Sequence, residues 1–219
     1  MENIIDCLSS FNSKERFFLV GQILGNPHFN LSKDFCKDIN DKLRINISDN
    51  SNETFAAMDY HLDWLYASLK IATENGNNTI YSNKDKIIKA QQEDIDFIIA
   101  YKDGEICHII LIEAKGVTGW TNDQIKSKTN RLKIIFGEDL KKWKNVIPHF
   151  VLMSPKEPEK LNISNWPEWM KTNKQINWIK LKIQEDLKMV SRCNEMGDED
   201  QKGEYWKVTD RRKSLKFTL

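Results

Sequence analysis

The sequence has little cysteine and no long apolar run. Its four cysteines, Cys7, Cys36, Cys107 and Cys193, are far apart and include no Cys-x-x-Cys pair. This spacing argues against a zinc site and is typical of reduced, intracellular thiols. No apolar stretch approaches the length of about 20 residues that a membrane-spanning helix needs. The amino terminus also lacks the basic and apolar segments of a signal peptide. We therefore expect a cytoplasmic protein that does not enter a membrane.

The motifs of several enzyme classes are missing as well. The sequence has no glycine-rich phosphate loop, no zinc-ligand spacing and no nucleophile elbow. Its composition, 40% apolar and 30% charged over 219 residues, is ordinary for a globular protein that can bury a full core. A small-molecule enzyme with a bound organic cofactor is therefore the least favoured class.

What the sequence does contain is a strong signal for a β-hairpin. Two apolar, β-branched segments, residues 92–101 and 106–116, flank the pair Asp103-Gly104. Asp-Gly is typical of two-residue type I′ turns, in which both central residues have positive φ. Both segments are apolar on their two faces, so we expect them to form the buried centre of a sheet.

The predicted turn also fixes which residues of the hairpin face each other. Counting back from it places Asp96 opposite Leu111 and Asp94 opposite Glu113. Because side chains alternate between the two faces of a strand, both aspartates emerge on the same face as Glu113 and Lys115. The sequence therefore predicts a cluster of carboxylates and one ammonium group at the open end of the hairpin.

Such a cluster predicts a metal site. Closely packed carboxylates repel one another unless a cation lies among them, and their hard oxygen atoms suit Mg²⁺ or Mn²⁺. The alternative is a hairpin end with solvated charges and a simple Glu-Lys ion pair, since acid-x-Lys patterns are common. Glu113-Ala114-Lys115 differs from the other examples in this chain because it ends an apolar strand and has acids across a hairpin. We therefore favour the metal site.

The hairpin resembles that of the PD-(D/E)xK nuclease superfamily, which has the restriction-endonuclease-like fold. Its members carry an acid at the start of one central strand and (Asp/Glu)-x-Lys at the end of the next. The resemblance implies that Asp96, Glu113 and the carbonyl group of Ala114 bind Mg²⁺ (or Mn²⁺). It also implies that Asp96, Glu113 and Lys115 are catalytic residues, with Lys115 positioning a water molecule or the scissile phosphate.

Two features around the motif leave alternatives open. The proline that gives the family its name is absent, because Ile95 precedes Asp96, and this leaves Asp94 as a further candidate metal ligand. A helix is predicted over residues 53–73, and in related nucleases the helix before the hairpin often adds an acid to the site. Asp59 or Asp63 would fill that role, although a solvated helix face is the simpler interpretation of both.

The helix after the hairpin, residues 123–136, carries a polar face. Gln124, Lys128 and Arg131 recur at i, i+4 and i+7, so they point in one direction. Related nucleases turn a glutamine or lysine of this helix towards the active site. The resemblance thus implies a catalytic role for Gln124 and contacts to DNA for Lys128, Arg131 and the neighbouring Lys126. The alternative is an ordinary amphipathic helix.

Positive charge is concentrated in the segment that follows the hairpin. Residues 115–144 contain eight basic and three acidic side chains, whereas residues 1–75 contain seven basic and eleven acidic ones. A protein that binds phosphodiesters would carry cations close to its site. A solvated, lysine-rich helix would give the same count, so charge alone does not decide between the two.

The predicted elements from residue 53 onward follow the order helix, three strands, helix, strand. The predicted strands are a short one at 79–81, the two hairpin strands, and later ones at 146–153 and 176–183. This order matches the αβββαβ core of the restriction-endonuclease-like fold, with a mixed central sheet flanked by helices. The fold class is therefore predicted to be α/β.

Three segments are predicted along the chain. Residues 1–50 form an N-terminal helical extension, with helices over about 13–24 and from about 32. Residues 51–185 form the nuclease-like core. Residues 186–219 form a C-terminal hairpin, which pairs 187–192 with 204–208, and a basic tail.

Together these features predict a metal-dependent DNA endonuclease that hydrolyses phosphodiester bonds. Restriction, repair and mobile-element enzymes all fit, and cleavage of both strands or of a junction would favour a homodimer. The alternative is a catalytically silent nuclease-like module that binds DNA or a protein partner.

Overall fold

The structure is a computed structural model that describes residues 3–26, 28–48, 54–74, 79–90, 93–116, 119–182 and 188–210. The chain divides into two units, residues 1–180 and residues 181–219. Within the described residues, no helix combines the length and the apolar character needed to cross a membrane.

The first unit is an α/β domain built on a mixed central sheet. Its helices are α1 Ile4–Asn12, α2 Arg16–Ile23, α3 Lys33–Leu43, α4 Leu62–Glu74 and α5 Asn122–Phe136. Its strands are β1 Thr54–His61, β2 Asp94–Asp103, β3 Ile106–Ala114, β4 Val146–Ser154, β5 Lys171–Thr172, β6 Gln175–Ile176 and β7 Trp178–Lys180. The sheet order is β1-β2-β3-β4-β7, and β5 pairs separately with β6. Strand β2 is antiparallel to both β1 and β3, whereas β4 is parallel to both β3 and β7.

Both faces of the central strands are covered. On one face, Ile98 and Leu111 belong to a core that includes apolar residues of α1, α4 and α5. On the other face, Ile99 and Ile110 pack with residues of α3. Because neither face meets water, the strands are apolar throughout, as predicted for a buried central hairpin.

The hairpin forms as predicted, but the predicted register is wrong by two residues. Asp103 pairs with Ile106, so the loop is Gly104-Glu105 rather than Asp103-Gly104. Gly104 takes a φ of 57° while Glu105 keeps a negative φ, as in a type II′ turn with glycine at its first central position. Continuing beyond the Phe97–Ile112 pair, Asp96 lies across from Glu113, not from Leu111. A shift of two residues leaves every side chain on its predicted face, whereas a shift of one would have reversed them all.

The largest error of the sequence prediction concerns residues 53–73. Their first part, Thr54–His61, is strand β1, and only Leu62–Glu74 is helical. Phe55 and Ala57 alternate inward along β1, while Met58, which fits the spacing of a helical stripe, is exposed. Pairing with β2 decides the conformation of this segment, since β-propensity depends on the neighbouring strand. The short strand predicted at 79–81 is also wrong, because these residues form no regular structure.

The remaining predicted elements are close to their observed positions. Helices α2, α3 and α5 and strand β4 form where predicted, whereas α1 was not predicted. The strand predicted over 176–183 is shorter, because only Trp178–Lys180 pairs with β4. The core therefore begins with a strand followed by a helix, the reverse of the predicted start of the αβββαβ order.

The second unit contains the predicted C-terminal hairpin. Strand β8, Lys188–Cys193, pairs antiparallel with β9, Tyr205–Asp210. The guanidinium group of Arg192 donates two hydrogen bonds to the Gly203 carbonyl oxygen, at 2.7 and 3.0 Å. The predicted basic tail lies outside the described residues.

Candidate functional site

The open end of the β2–β3 hairpin brings the predicted acids together. Asp96 accepts a hydrogen bond through Oδ2 from the backbone N–H of Ala114, at 2.7 Å. This bond continues the strand pair beyond its last backbone ladder pair, Phe97–Ile112. It also fixes the carboxylate of Asp96 beside the end of β3, where Glu113 lies across from it.

Glu113 is paired with a lysine from helix α5. The Nζ atom of Lys128 lies 3.1 Å from Oε1 of Glu113, and the two side chains are only 15% and 12% exposed. Lys128 also donates a hydrogen bond to the backbone carbonyl of Asp94. Burial raises the pKa of the Glu113 carboxyl group to about 7, against the attraction of Lys128, and Asp96 and Glu93 raise it further. The surroundings of Glu113 therefore disfavour a negative charge unless a cation lies beside it.

The lysine of the motif, Lys115, is held by a second residue of the same helix. Its Nζ atom donates to Oε1 of Gln124 at 2.5 Å and to the carbonyl oxygen of Gly119 at 3.3 Å. It also lies 5.2 Å from the centroid of the Trp120 ring. Gln124 and Lys128, one helical turn apart on α5, thus contact the two charged residues that end β3.

Asp94 lies beside residues from the junction of β1 and α4. Its Oδ1 atom is 3.6 Å from Nε2 of His61, whose ring stacks on Trp64 at 4.0 Å between centroids. The sequence prediction assigned neither Trp64 nor His61 to the site. The pattern of Thr54, Phe55 and Tyr60 would have supported a strand ending at His61, and such a strand would have brought both residues to this edge.

Asp59 also belongs to this acidic edge, although on a strand and not on the predicted helix. It lies between the pairs Met58–Phe97 and Tyr60–Ile95, across from Asp96. Its φ of 49° interrupts β1, a conformation that aspartate adopts more easily than most residues. Partial burial raises the pKa of its carboxyl group, and Asp96 and Asp94 raise it further.

Arg131 and Asp63 form an ion pair with each other. Arg131 is only 3% exposed, and its guanidinium group contacts the carboxylate of Asp63 and lies 3.9 Å from that of Glu93. Asp63 further accepts hydrogen bonds from the backbone N–H groups of Lys89 and Ala90. The arginine predicted to reach a phosphate is thus engaged inside the protein, and the aspartate considered as an extra metal ligand holds it there.

Lys126 points away from the acids. It is exposed and lines a separate cavity of about 310 Å³ with Asn122, Asn162 and Trp166. The residues that the structure brings together at the hairpin end are therefore Asp94, Asp96, Glu113, Lys115, Gln124 and Lys128, with Ala114 in the backbone between Glu113 and Lys115.

The donor atoms at this edge have the chemistry that a hard cation requires. Asp94 Oδ1 is buried and has no hydrogen-bond donor among the described residues, and the buried Oε1 of Glu113 faces the ammonium group of Lys128 at 3.1 Å. Buried carboxylate oxygens without a partner are costly, and oxygen ligands of this kind suit Mg²⁺ or Mn²⁺. Within the described part of the chain, however, no three His, Cys, Asp or Glu side chains converge into a ready-made metal site. The cation that lies beside Glu113 is the ammonium group of Lys128.

Comparisons of the chain with protein-family models, with curated proteins and with solved structures found no match. Its function must therefore be inferred from the chemistry of this site.

Proposed function

We propose that this protein is a metal-dependent DNA endonuclease with a site of the PD-(D/E)xK type. The observation that carries the proposal is the meeting of Asp96 and Glu113 at the end of two central strands. Lys115 lies two residues beyond Glu113 in the sequence. Carboxylates at a strand end with a lysine two residues further on suit hydrolysis of a phosphodiester assisted by a divalent cation.

The residues divide into three roles. Asp96, Glu113 and the carbonyl group of Ala114 would hold Mg²⁺ or Mn²⁺, with Asp94 beside them. When bound, the ion lowers the pKa of a coordinated water molecule and offsets the charge of the phosphate. The ammonium group of Lys115 would orient the water or a phosphate oxygen, and Gln124 holds that ammonium group in place.

Lys128 has one role in the metal-free protein and another once the metal ion is bound. In the metal-free protein it balances the charge of Glu113 at 3.1 Å. With the cation bound, its ammonium group would be available to a phosphate oxygen of the substrate, where a positive charge strengthens binding.

A second candidate function is favoured by the same contact. If Lys128 replaces the cation permanently, the domain is a catalytically silent module that binds DNA or a protein partner. The absence of a converged three-ligand group among the described residues favours this alternative. A missing acid or lysine would favour it more strongly, and the motif has neither gap.

The two functions are separated by a cleavage assay with Mg²⁺ or Mn²⁺. Plasmid, linear duplex, single strand and four-way junction are offered to the wild type, to Glu113→Gln and to Asp139→Asn. Asp139 belongs to an exposed acid-x-Lys sequence and pairs with Lys141 at 3.1 Å, so it is a matched control away from the hairpin. Metal-dependent cutting that is lost only in Glu113→Gln supports the nuclease. Folded wild-type protein that shifts DNA in a gel but never cuts it would refute the nuclease in favour of the binding module.

A further inference from the structure

An open groove of about 880 Å³ begins at the candidate site and leads away from it. Asp59 and Asp94 line the end of the groove that meets the hairpin, and the turn between α1 and α2 lines another part of its wall. The groove therefore reaches Asp94, beside the acids proposed to bind the cation, and a chain-like ligand lying in it would lead towards them.

Aromatic rings line the groove. His61 and Trp64 stack with their planes 19° apart, and Trp64 is braced from below by the edge of Tyr60, 5.6 Å away between centroids. Phe17 of α2 also lines the groove while half exposed, and it is held by a stack on Phe29 at 4.7 Å. These rings are fixed by their neighbours, and the faces of His61 and Phe17 that lie outside the two stacks provide platforms on which a planar group can stack at little entropic cost.

The groove also has basic side chains. Lys14 and Arg16 lie at the α1–α2 turn, and both are exposed without an ion pair to any described residue. The ammonium group of Lys14 lies 5.3 Å from the centroid of the Trp64 ring. Glu15, between them, already accepts hydrogen bonds from the N–H groups of Phe17 and Phe18 at the start of α2. Lys14 and Arg16 therefore bring two positive charges to the part of the groove wall that the α1–α2 turn forms.

We infer that this groove binds a single-stranded stretch of DNA that leads to the candidate site. Cations for phosphates and aromatic platforms for bases are the two features by which proteins hold single strands without reading their sequence. The bases of an intact duplex are already stacked on each other and cannot offer their faces to His61, Trp64 or Phe17. The inference rests on the proposed function for the substrate, and it narrows that substrate to DNA with an unpaired segment beside the cleaved bond.

Helix α2 also exposes apolar side chains, Leu19, Val20, Ile23 and Leu24, which would suit an apolar protein partner. Two features favour the strand of DNA. Lys14 and Arg16 border the same groove as Leu19 and Val20, and the groove reaches carboxylates that suit a cation-bridged phosphate better than an apolar surface. A partner bound only through α2 would need neither the cations nor Trp64.

The test is fluorescence anisotropy of a labelled 12-nucleotide single strand and of the matching blunt duplex, in Ca²⁺ and on the full chain. Three variants are compared with the wild type: Lys14→Ala/Arg16→Ala, Trp64→Leu, and Lys33→Ala/Lys37→Ala. The last removes the same charge from exposed positions on α3, which covers the other face of the sheet. Circular dichroism checks that Trp64→Leu is folded, and the lysine–arginine variant, which changes only exposed side chains, does not depend on that check.

We expect each groove variant to weaken single-strand binding by about tenfold. Duplex binding, and both probes with the α3 control, should stay within about twofold. A strand that carries 5-iododeoxyuridine should cross-link on irradiation to the peptide containing His61 and Trp64. Equal binding of both probes by the wild type, or groove variants that bind the single strand normally, would overturn the inference. Cleavage is scored separately on the same samples: loss of binding in a protein that never cleaves would uphold the groove and refute the nuclease.

Discussion

Two clusters of ionisable side chains lie on the central strands, on opposite faces of the sheet. On the side of α4 and α5 are Asp96 and Glu113, and on the side of α3 are His108 and His149. The imidazole rings stack 5.2 Å apart, and Nδ1 of His108 lies 2.9 Å from Nε2 of His149. Tyr101 stacks on the outer side of His108 at 5.0 Å.

The two clusters respond to burial in different ways. Burial lowers the pKa of His149 to about 4 and also lowers that of His108, so the histidines are neutral and satisfy each other. Burial raises the pKa of Glu113 to about 7, although the ammonium group of Lys128 lies 3.1 Å from its Oε1 atom. The two histidines are hydrogen-bonded to each other, whereas Asp96 and Glu113 repel each other and depend on the positive charge of Lys128. Buried carboxyl groups whose pKa is shifted in this way are typical of sites that bind a ligand or an ion.

The largest expected effect distinguishes the two clusters by activity. Glu113→Gln should reduce metal-dependent cleavage by about 1,000-fold, because a neutral amide is a poor ligand for a divalent cation. His149→Gln should retain cleavage within about threefold, since it keeps a hydrogen-bonding side chain far from the reacting groups. Initial rates on the preferred substrate measure both. Equal losses of cleavage in the two variants would contradict a specific role for the acids in the reaction.

Asp96→Asn tests whether the acids repel each other when no cation is present. The amide keeps an oxygen to accept from the Ala114 N–H and removes the charge facing Glu113 and Asp59. Cleavage should fall as in Glu113→Gln, while the melting temperature in EDTA should rise by about 2–4 °C, equivalent to about 1 kcal/mol. A melting temperature below that of the wild type would mean that the charge stabilises the fold.

Lys128→Met removes the cation that Glu113 now has. Breaking a buried ion pair leaves an uncompensated charge, so the free energy of unfolding in EDTA should fall by about 2–3 kcal/mol. Mg²⁺ should restore more stability to this variant than to the wild type, because it replaces the lost charge. The matched control is Lys133→Met, which breaks the exposed pair with Glu138 and should cost less than 1 kcal/mol. Chemical denaturation of the wild type and the two variants, with and without Mg²⁺, measures all six values, and equal costs for the two lysines would contradict the idea that Lys128 substitutes for a metal.

Gln124→Ala should have a smaller effect. It removes the acceptor that holds Lys115, so the ammonium group loses its position but not its charge. We expect about a tenfold fall in kcat with little change in KM, since positioning acts mainly on the chemical step. Gln124→Glu keeps an acceptor and should restore part of the rate. A change in KM alone would instead assign Gln124 to substrate binding.

The sequence predicted which acids lie together at the hairpin end better than it predicted the fold around them, for a physical reason. Alternation along β2 and β3 assigns Asp96 and Glu113 to a common face whichever residues form the turn, provided that the register shifts by an even number. The Asp-Gly pair did not decide the register, because glycine serves either central position of a tight turn. The observed loop Gly104-Glu105 uses the first.

The sequence predictions are wrong where contacts between residues far apart in the sequence determine the structure. Thr54–His61 is a strand because β2, some 40 residues away in sequence, pairs with it. Arg131 is buried because Asp63 meets it from α4, and no local pattern on α5 distinguishes it from Lys128. The groove beside Asp94 depends on how the α1–α2 turn packs near β1, so neither Lys14 nor Trp64 could be assigned to it from sequence alone.

The smallest expected effect is a contrast in how stability depends on pH. The pKa of His149 in the folded protein, about 4, lies below its usual value near 6.5. Its contribution to the free energy of unfolding is therefore present above pH 6.5 and is lost as the pH falls towards 4. The folded pKa of Glu113, about 7, lies above its usual value of 4.5, so its contribution is lost as the pH rises from 4.5 to 7. In EDTA the two pH dependences nearly cancel in the wild type between pH 4.5 and 6.5.

His149→Gln should therefore make the free energy of unfolding fall with rising pH, and Glu113→Gln should make it rise, each by about 1 kcal/mol per pH unit. Urea denaturation across this range, with His28→Gln at an exposed position as the control, measures the slopes. Slopes of the same sign in the two variants would contradict the opposite effects of burial on the two clusters.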